Sequence, residues 1–419
     1  MNEKLIVKLI VVYLFITSFC NAQKTNVELW VNDIDFYHKT LETKHIDLYH
    51  TISKEEFTFE IRTIKERLPE LTDFQVIVEL MRLTHKIGAG LSDGHTSVPL
   101  WGTETNKFPI ELFDFGNELR VVKTTKLNKH LLGKKLKSIE GVSIDKIYSM
   151  VSELTPFTEN KQSSMVRTCS YMMVAEILEA IEIVKNKTQA EFGFVDENGN
   201  EERITLKSYS KELLNNFQFE TLPVLNPIIN RPKDSPFKDL WFTSLDDSKT
   251  IYISFKEFPK AESEMNTFSE GVYDFIEKNQ SKNLIIDLRG NYGGDLFMGL
   301  ILGGWLNVSD SIIWKSNVYV LIDRVTYSAA MVNAVQFKQL LNAKVIGEPT
   351  GANPNGYQDL GQFKLPNSNL LITYTKRLFR LQDESTFGLQ PDVFIIPKWI
   401  SYKNGVDEVL EWVLKDIRN

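Results

Sequence analysis

Three stretches of this chain carry residue types that could do covalent chemistry. The first is Asn317–Met331, NVYVLIDRVTYSAAM. Val318–Ile322 is a short apolar, β-branched run and reads as a buried strand; Asp323 and Arg324 break it, and Thr326–Ala330 opens a helical pattern. A serine at such a turn, Ser328, presents its hydroxyl beside the unpaired N–H groups of a helix N-terminus, which can hold a developing oxyanion. Serine is also a favoured helix cap, so Ser328 alone does not decide between the two roles. The second stretch is Ile285–Gly294, IIDLRGNYGG, a strand running into a loop with three glycines in five residues. Such loops let backbone N–H groups approach a ligand closely, and no Gly-Lys-Ser/Thr follows to make this one a phosphate loop. The third is Asp93-Gly94-His95-Thr96, where one of the chain's six histidines sits in a loop and supplies a possible base. His38, His45, His50 and His85 lie on or between helices and read as structural. The His45–His50 spacing fits no helix face as a metal pair, and no third ligand is evident, so no metal or organic cofactor is expected.

The elements that must position these residues follow from periodicity. Trp30, Ile34, Tyr37 and Leu41 recur at helical spacing, as do Phe57, Ile61, Ile64 and Leu68 behind the capping sequence Ser53–Glu56. A third helix over Asp73–Ile87 delivers the histidine loop. From Phe108 the pattern turns to short strands: Pro109–Phe113, Leu119–Val122 and Leu136–Gly141. The helix Ile144–Leu154 and a longer one over Ser164–Asn186 come next, then a hairpin about Asn198-Gly199. Pro223, Pro227, Pro232 and Pro236 mark a linker. Beyond it strands at Thr250–Phe255, Leu284–Leu288, Val318–Ile322, Lys344–Ile346, Leu370–Tyr374 and Val393–Ile395 alternate with helices at Glu262–Asn279, Asp295–Leu306 and Ser328–Leu341. That alternation predicts an α/β fold with a largely parallel sheet. The expected organisation is a signal peptide at 1–22, a helical domain at 23–100 carrying the histidine loop, a small module at 105–210, a linker at 211–249 and the α/β core at 250–419.

Composition narrows the partners. The 419 residues are 42% hydrophobic and 25% charged, with a formal net charge of −7 and no long basic run, which argues against nucleic acid. Lys4 and Lys8 flank the apolar run Leu9–Phe19, which is too short to span a bilayer and ends in Cys20-Asn21-Ala22. This predicts cleavage before Gln23 and a periplasmic or extracellular protein without a stable membrane span; lipoprotein processing at Cys20 fits less well, because Phe19 precedes it. Cys169, the cysteine that then remains, sits in an apolar helical pattern and reads as a buried thiol, not a nucleophile.

Taken together, Ile285–Gly294, Val318–Met331, Val345–Thr350, Leu365–Ser368 and Gln390-Pro391-Asp392, in that order over about 110 residues, resemble the core of the tail-specific and tricorn-type serine peptidases, peptidase family S41. Asp93–Thr96 is similar to the family's histidine loop. The resemblance implies a crotonase/ClpP-like α/β core and a peptide or unfolded protein as substrate. It further implies Ser328 as nucleophile, His95 as base, and the N–H groups of Gly293 or Gly294 with Ala329 as oxyanion hole. Where the tail-processing branch carries a dyad lysine, Gly347-Glu348-Pro349-Thr350-Gly351-Ala352-Asn353 has Asn353, so the resemblance is to the tricorn-like branch. In that branch a glutamate precedes the Gly-x-x-Pro-Asp element, which points to Glu384, or to Asp383 beside it, as the acid orienting His95. Leu132–Val142 is similar to the centre of a PDZ-type module, whose physical role would be a strand-edge peptide site. The expected function is thus a secreted serine endopeptidase; the alternative is a non-catalytic protein binding peptides or apolar ligands on the same fold.

Overall fold

The computed structural model describes residues 26–88, 93–116, 118–222, 229–247 and 249–419. The expected signal peptide, the cleavage point at Gln23 and part of the proline-rich linker lie outside them. Three helices begin the fold: α1 (Val27–Lys44), α2 (Lys54–Arg67) and α3 (Asp73–Gly88). The spacing that predicted the first two is the spacing that buries Trp30, Ile34, Tyr37 and Leu41 on α1 and Phe57, Ile61 and Ile64 on α2. Ser53 caps α2 by accepting the Glu56 N–H at 3.1 Å.

An antiparallel sheet follows, in the order β1-β2-β3-β4-β5, from β1 (Ile110–Asp114), β2 (Leu119–Thr125), β3 (Lys135–Ile139), β4 (Gln189–Val195) and β5 (Glu201–Lys207). Between β3 and β4 the chain forms α4 (Ile144–Ser152), α5 (Lys161–Tyr171) and the short α6 (Ala175–Ala180). The single helix expected over Ser164–Asn186 is therefore broken. Its interruption has a cause: the Phe108 N–H takes the Met173 carbonyl at 2.9 Å, and Val174 bridges Lys107. That pairing competes with the helical bonds there. The N-terminal helices and this sheet share one continuous apolar core.

The second half is built on a six-stranded sheet in the order β6-β7-β8-β9-β10-β13: β6 (Leu240–Leu245), β7 (Thr250–Phe255), β8 (Asn283–Asp287), β9 (Val318–Ile322), β10 (Lys344–Gly347) and β13 (Val393–Phe394). Pairings from β7 to β13 are parallel, and only the edge strand β6 runs antiparallel. The fold is α/β with a largely parallel sheet, as the alternating pattern predicted. Strands β7, β8 and β9 are buried along their whole length, which is why they read as unbroken apolar runs. Helices α7 (Glu262–Asn279), α8 (Leu296–Asn307) and α9 (Ala329–Leu340) pack one core against the sheet, and α10 (Glu408–Arg418) supplies the apolar stripe of another. The run at Leu370–Tyr374 does not join this sheet. It belongs to β12 (Leu371–Arg380), which pairs antiparallel with β11 (Asn355–Lys364) in a long two-stranded arm. The arm reaches back to the first half, where Ser97 bridges Thr373 and the Ile46 N–H takes the Thr375 carbonyl at 3.2 Å. This contact sets the histidine loop against the second half.

Candidate active site

Ser328 stands in the turn between β9 and α9 at φ 51°, ψ −125°. A positive φ in a residue with a Cβ costs on the order of 1–3 kcal/mol and persists only where the surroundings enforce it. Here they do. Asp323 Oδ1 accepts the N–H groups of Val325 at 2.9 Å and Thr326 at 3.0 Å, and the Thr326 hydroxyl donates to the Leu288 carbonyl at 3.1 Å. The Tyr327 N–H reaches the Asn291 carbonyl at 3.0 Å, and the Gly351 N–H the Thr326 carbonyl at 2.9 Å. The serine hydroxyl makes no capping bond to its own helix. It instead lies 3.0 Å from His95 Nε2, a residue 233 positions earlier in the chain.

The loop holding His95 is pinned by Asp93. Its carboxylate accepts the Thr96 N–H at 2.9 Å and hydroxyl at 2.7 Å, the Thr375 hydroxyl at 2.6 Å and His45 Nε2 at 2.8 Å. Burial alone would raise this carboxyl, but the hydrogen bond from His45 and the adjacent His50 ring win and hold it well below the usual carboxylate range. The third group that a His45–His50 metal pair seemed to lack is thus at hand in Asp93. The ring chemistry of His45 favours another role. The Asp47 N–H donates to His45 Nδ1 at 2.9 Å, so Nε2 carries the ring proton and turns a donor, not a lone pair, towards Asp93.

The other ring nitrogen of His95, Nδ1, is buried 3.1 Å from Glu159 Oε1, somewhat off the line of a well-aligned hydrogen bond. Glu159 is fully buried between α4 and α5. Its carboxylate is fixed by the Tyr327 hydroxyl at 2.7 Å, the Asn353 N–H at 2.8 Å and the Gln358 amide at 3.0 Å. Burial and the adjacent carboxylate keep the Tyr327 hydroxyl well above its ordinary value, so it remains a donor. The Tyr327 ring also stacks against His95, with centroids 5.3 Å apart. Asp383 and Glu384, the acids expected to orient the histidine, do not take this place. Both are exposed on the segment after β12, and the carboxylate beside His95 is Glu159.

The glycine loop after β8 meets the serine turn directly. A Cβ on Gly293, whose φ is +100°, would fall 2.8 Å from Ser328 Cβ and 3.1 Å from the Ala329 nitrogen. The Gly293 N–H is already given to Asn291 Oδ1 at 2.9 Å. The N–H groups of Gly294 and of Ala329, the first residue of α9, have no recorded acceptor among the described residues. Asn291 is fully buried and anchors the loop by donating to the Phe255 carbonyl at 2.8 Å.

Asn353 is buried in the same network. Its side chain donates to the Glu159 carbonyl at 3.0 Å and accepts from the Asn160 amide at 2.9 Å and the Gly388 N–H at 2.8 Å. Cys169 is buried, and burial pushes its thiol up to about 12, as suits a core residue.

Residues 306–395 match the sequence model of peptidase family S41. Over that segment the chain is similar to peptidase family S41. This family comprises serine-type peptidases. The nisin-resistance protein of Lactococcus lactis subsp. lactis is 24% identical over 210 residues, covering 41% of this chain and 62% of that protein. The crystal structure of mature CPAF superposes with a TM-score of 0.64 at 11% identity, covering 93% of this chain and 96% of that one. Mature CPAF complexed with lactacystin gives 0.62 at 10% identity, over 93% and 97%. At these identities the likeness is one of fold. It extends through the helical region and the antiparallel sheet, well beyond the S41-matching segment. Among the described residues no helix is long and apolar enough to cross a membrane.

The sequence singles out the serine, the histidine and the glycine loop, which the structure brings together, but not Glu159, Tyr327 and Asn353 as the groups packed against them. Glu159 sits in Thr158-Glu159-Asn160 ahead of α5, where an acid is an ordinary helix-start residue. No spacing marks it.

Proposed function

We propose that the protein is a serine endopeptidase working through Ser328, His95 and Glu159. The observation that carries this reading is the 3.0 Å approach of His95 Nε2 to a serine hydroxyl held on a strained turn. For Nε2 to accept a proton, Nδ1 must hold the other, and the Glu159 carboxylate favours that tautomer while stabilising the imidazolium that forms. His95 then takes the Ser328 proton as Oγ attacks the peptide carbonyl. The Gly294 and Ala329 N–H groups receive the oxyanion, His95 returns the proton to the leaving amine, and water releases the acyl-enzyme. Asn353 at the lysine position supports the histidine-based, tricorn-like mechanism over a dyad, since an amide cannot serve as the base.

The substrate would be a peptide or unfolded protein. Supporting this is a groove of about 420 Å³ between the edge strand β1 and α5, lined by apolar residues such as Met165, Val166 and Met173, which reaches Tyr292 beside the glycine loop. An extended segment there could pair with the open edge of β1. Secretion is part of the same reading and rests on Lys4, Lys8 and the apolar run to Phe19; N-terminal sequencing of the mature protein should begin at Gln23.

The test is covalent. A fluorophosphonate should label the wild type, whereas Ser328→Ala should neither label nor cleave casein and should melt as wild type does. Turnover should fall on the order of 10⁶-fold. A Ser328→Ala protein that cleaves at the wild-type rate would refute the assignment.

A further inference from the structure

Among the described residues, one cation stands in this site without a counter-ion. Arg167, on α5, is half-buried, and among the described residues no carboxylate pairs with it and no hydrogen bond is recorded for its guanidinium. It is held by rings instead: its guanidinium lies 4.5 Å from the Tyr292 centroid, 5.4 Å from that of Tyr327 and 5.5 Å from that of Phe157. Two of these rings flank the reacting groups. Tyr327 immediately precedes Ser328, and Tyr292 immediately precedes Gly293-Gly294. Met165 and Val166, one helical step away, line the groove that ends at Tyr292. Other arginines in the core do not share this state. Arg289 is paired with Asp287 and Asp407, and Arg324 with Glu348.

We propose that Arg167 is a specificity-determining residue that receives a carboxylate of the peptide, and this rests on the peptidase reading above. Ring faces hold a guanidinium in place but leave its in-plane N–H donors unused. A planar fork of free donors is matched by a carboxylate that binds it bidentately. With about 3.3 Å per residue in an extended peptide, the group bound would lie within about three residues of the scissile bond. Its source would be either an Asp or Glu side chain or the free C-terminus of the peptide.

The experiment uses a quenched-fluorescence, alanine-rich octapeptide with one glutamate moved through every position. Each peptide has a glutamine counterpart and is made with a free or an amidated C-terminus. Wild type should prefer a carboxylate at one position by about 10- to 100-fold in kcat/KM, mostly through KM. Preference confined to an internal glutamate identifies a side chain; preference confined to the free acid identifies the terminus. Arg167→Gln should bring the preferred peptide down to its neutral counterpart while leaving neutral peptides within about threefold. Arg167→Glu should favour a lysine at that position. The proposal is overturned if no carboxylate is preferred, or if Arg167→Gln slows acidic and neutral peptides alike, as loss of mere ring packing would. Anisotropy of the fluorescein-labelled peptides on Ser328→Ala reads the same preference without turnover. Failure of fluorophosphonate labelling with the preference intact would therefore sink the peptidase reading and not the specificity.

Discussion

Glu159 is the residue on which the proposed chemistry turns, because it fixes the ring that must accept the serine proton. Four groups converge on its carboxylate: His95 Nδ1, the Tyr327 hydroxyl, the Asn353 N–H and the Gln358 amide. Glu159→Gln keeps the shape but replaces an acceptor-only group by one that presents an amide N–H to either His95 or Tyr327. The wrong histidine tautomer then competes, and kcat is expected to fall by about 10⁴-fold, the scale seen when a triad carboxylate becomes an amide. Asp383→Asn and Glu384→Gln, both on exposed side chains, should stay within a few-fold of wild type. Steady-state kinetics of the three variants on one peptide decides the matter: a large loss at Glu384 with little at Glu159 would reverse the assignment. Asn353→Ala retains the backbone N–H to Glu159 but gives up the side-chain bond to the Glu159 carbonyl, so a smaller loss of activity is expected there.

At the scale of elements, two loops make the site by touching. The loop after β8 and the turn after β9 come together because those strands are parallel neighbours in register, with Asp287 opposite Leu321. Loops at the same ends of adjacent parallel strands emerge side by side, where ligands of such sheets bind. Gly293 is required at the contact twice over, by its φ of +100° and by the 2.8 Å that would separate its Cβ from Ser328 Cβ. Gly293→Ala should therefore displace the loop, lower stability by about 1–3 kcal/mol and cut kcat by about 10²-fold or more through loss of oxyanion contact. Thermal melts paired with turnover check this. A variant with wild-type kcat would mean that the loop does not border the reacting carbonyl.

At the scale of the whole molecule, the buried charges tie the sheet to its covering helix. Arg289 binds Asp287 at the end of β8 and Asp407 at the start of α10, with bonds of 2.7–2.9 Å. Burial would raise the Asp287 carboxyl, but the Arg289 guanidinium prevails and holds it down at about 2. A folded value below the free one means that folding favours the ionised form. The stabilisation is then fully present above about pH 4 and is lost as pH falls towards 2, amounting to about 2 kcal/mol for this group. Urea midpoints at pH 6 and pH 3 should show that loss. Asp287→Asn should be less stable at pH 6, because Arg289 loses one of its two partners, and should show a shallower decline on acidification. An equally steep acid limb in the variant would assign it to other groups.

Hydrophobic spacing along the chain fixed the helices α1 to α3, the buried strands β7 to β9 and the α/β class, since local periodicity reports which face of an element must leave water. The residue types at Ser328, His95 and Gly290–Gly294 were equally legible, because a serine at a strand-to-helix turn and a glycine loop are written in consecutive residues. Tertiary structure decided what meets what. Glu159 gave no local sign, as its partners His95 and Tyr327 lie 64 and 168 positions away, and Asp383 and Glu384 looked suitable by order along the chain while standing in solvent. The break after α5 was hidden for the same reason, being stabilised by backbone pairing with a distant segment, and so was the docking of the arm β11–β12 on Ile46 and Ser97. Periodicity records burial against one's own neighbours, whereas these contacts depend on where separate elements arrive once both cores have formed.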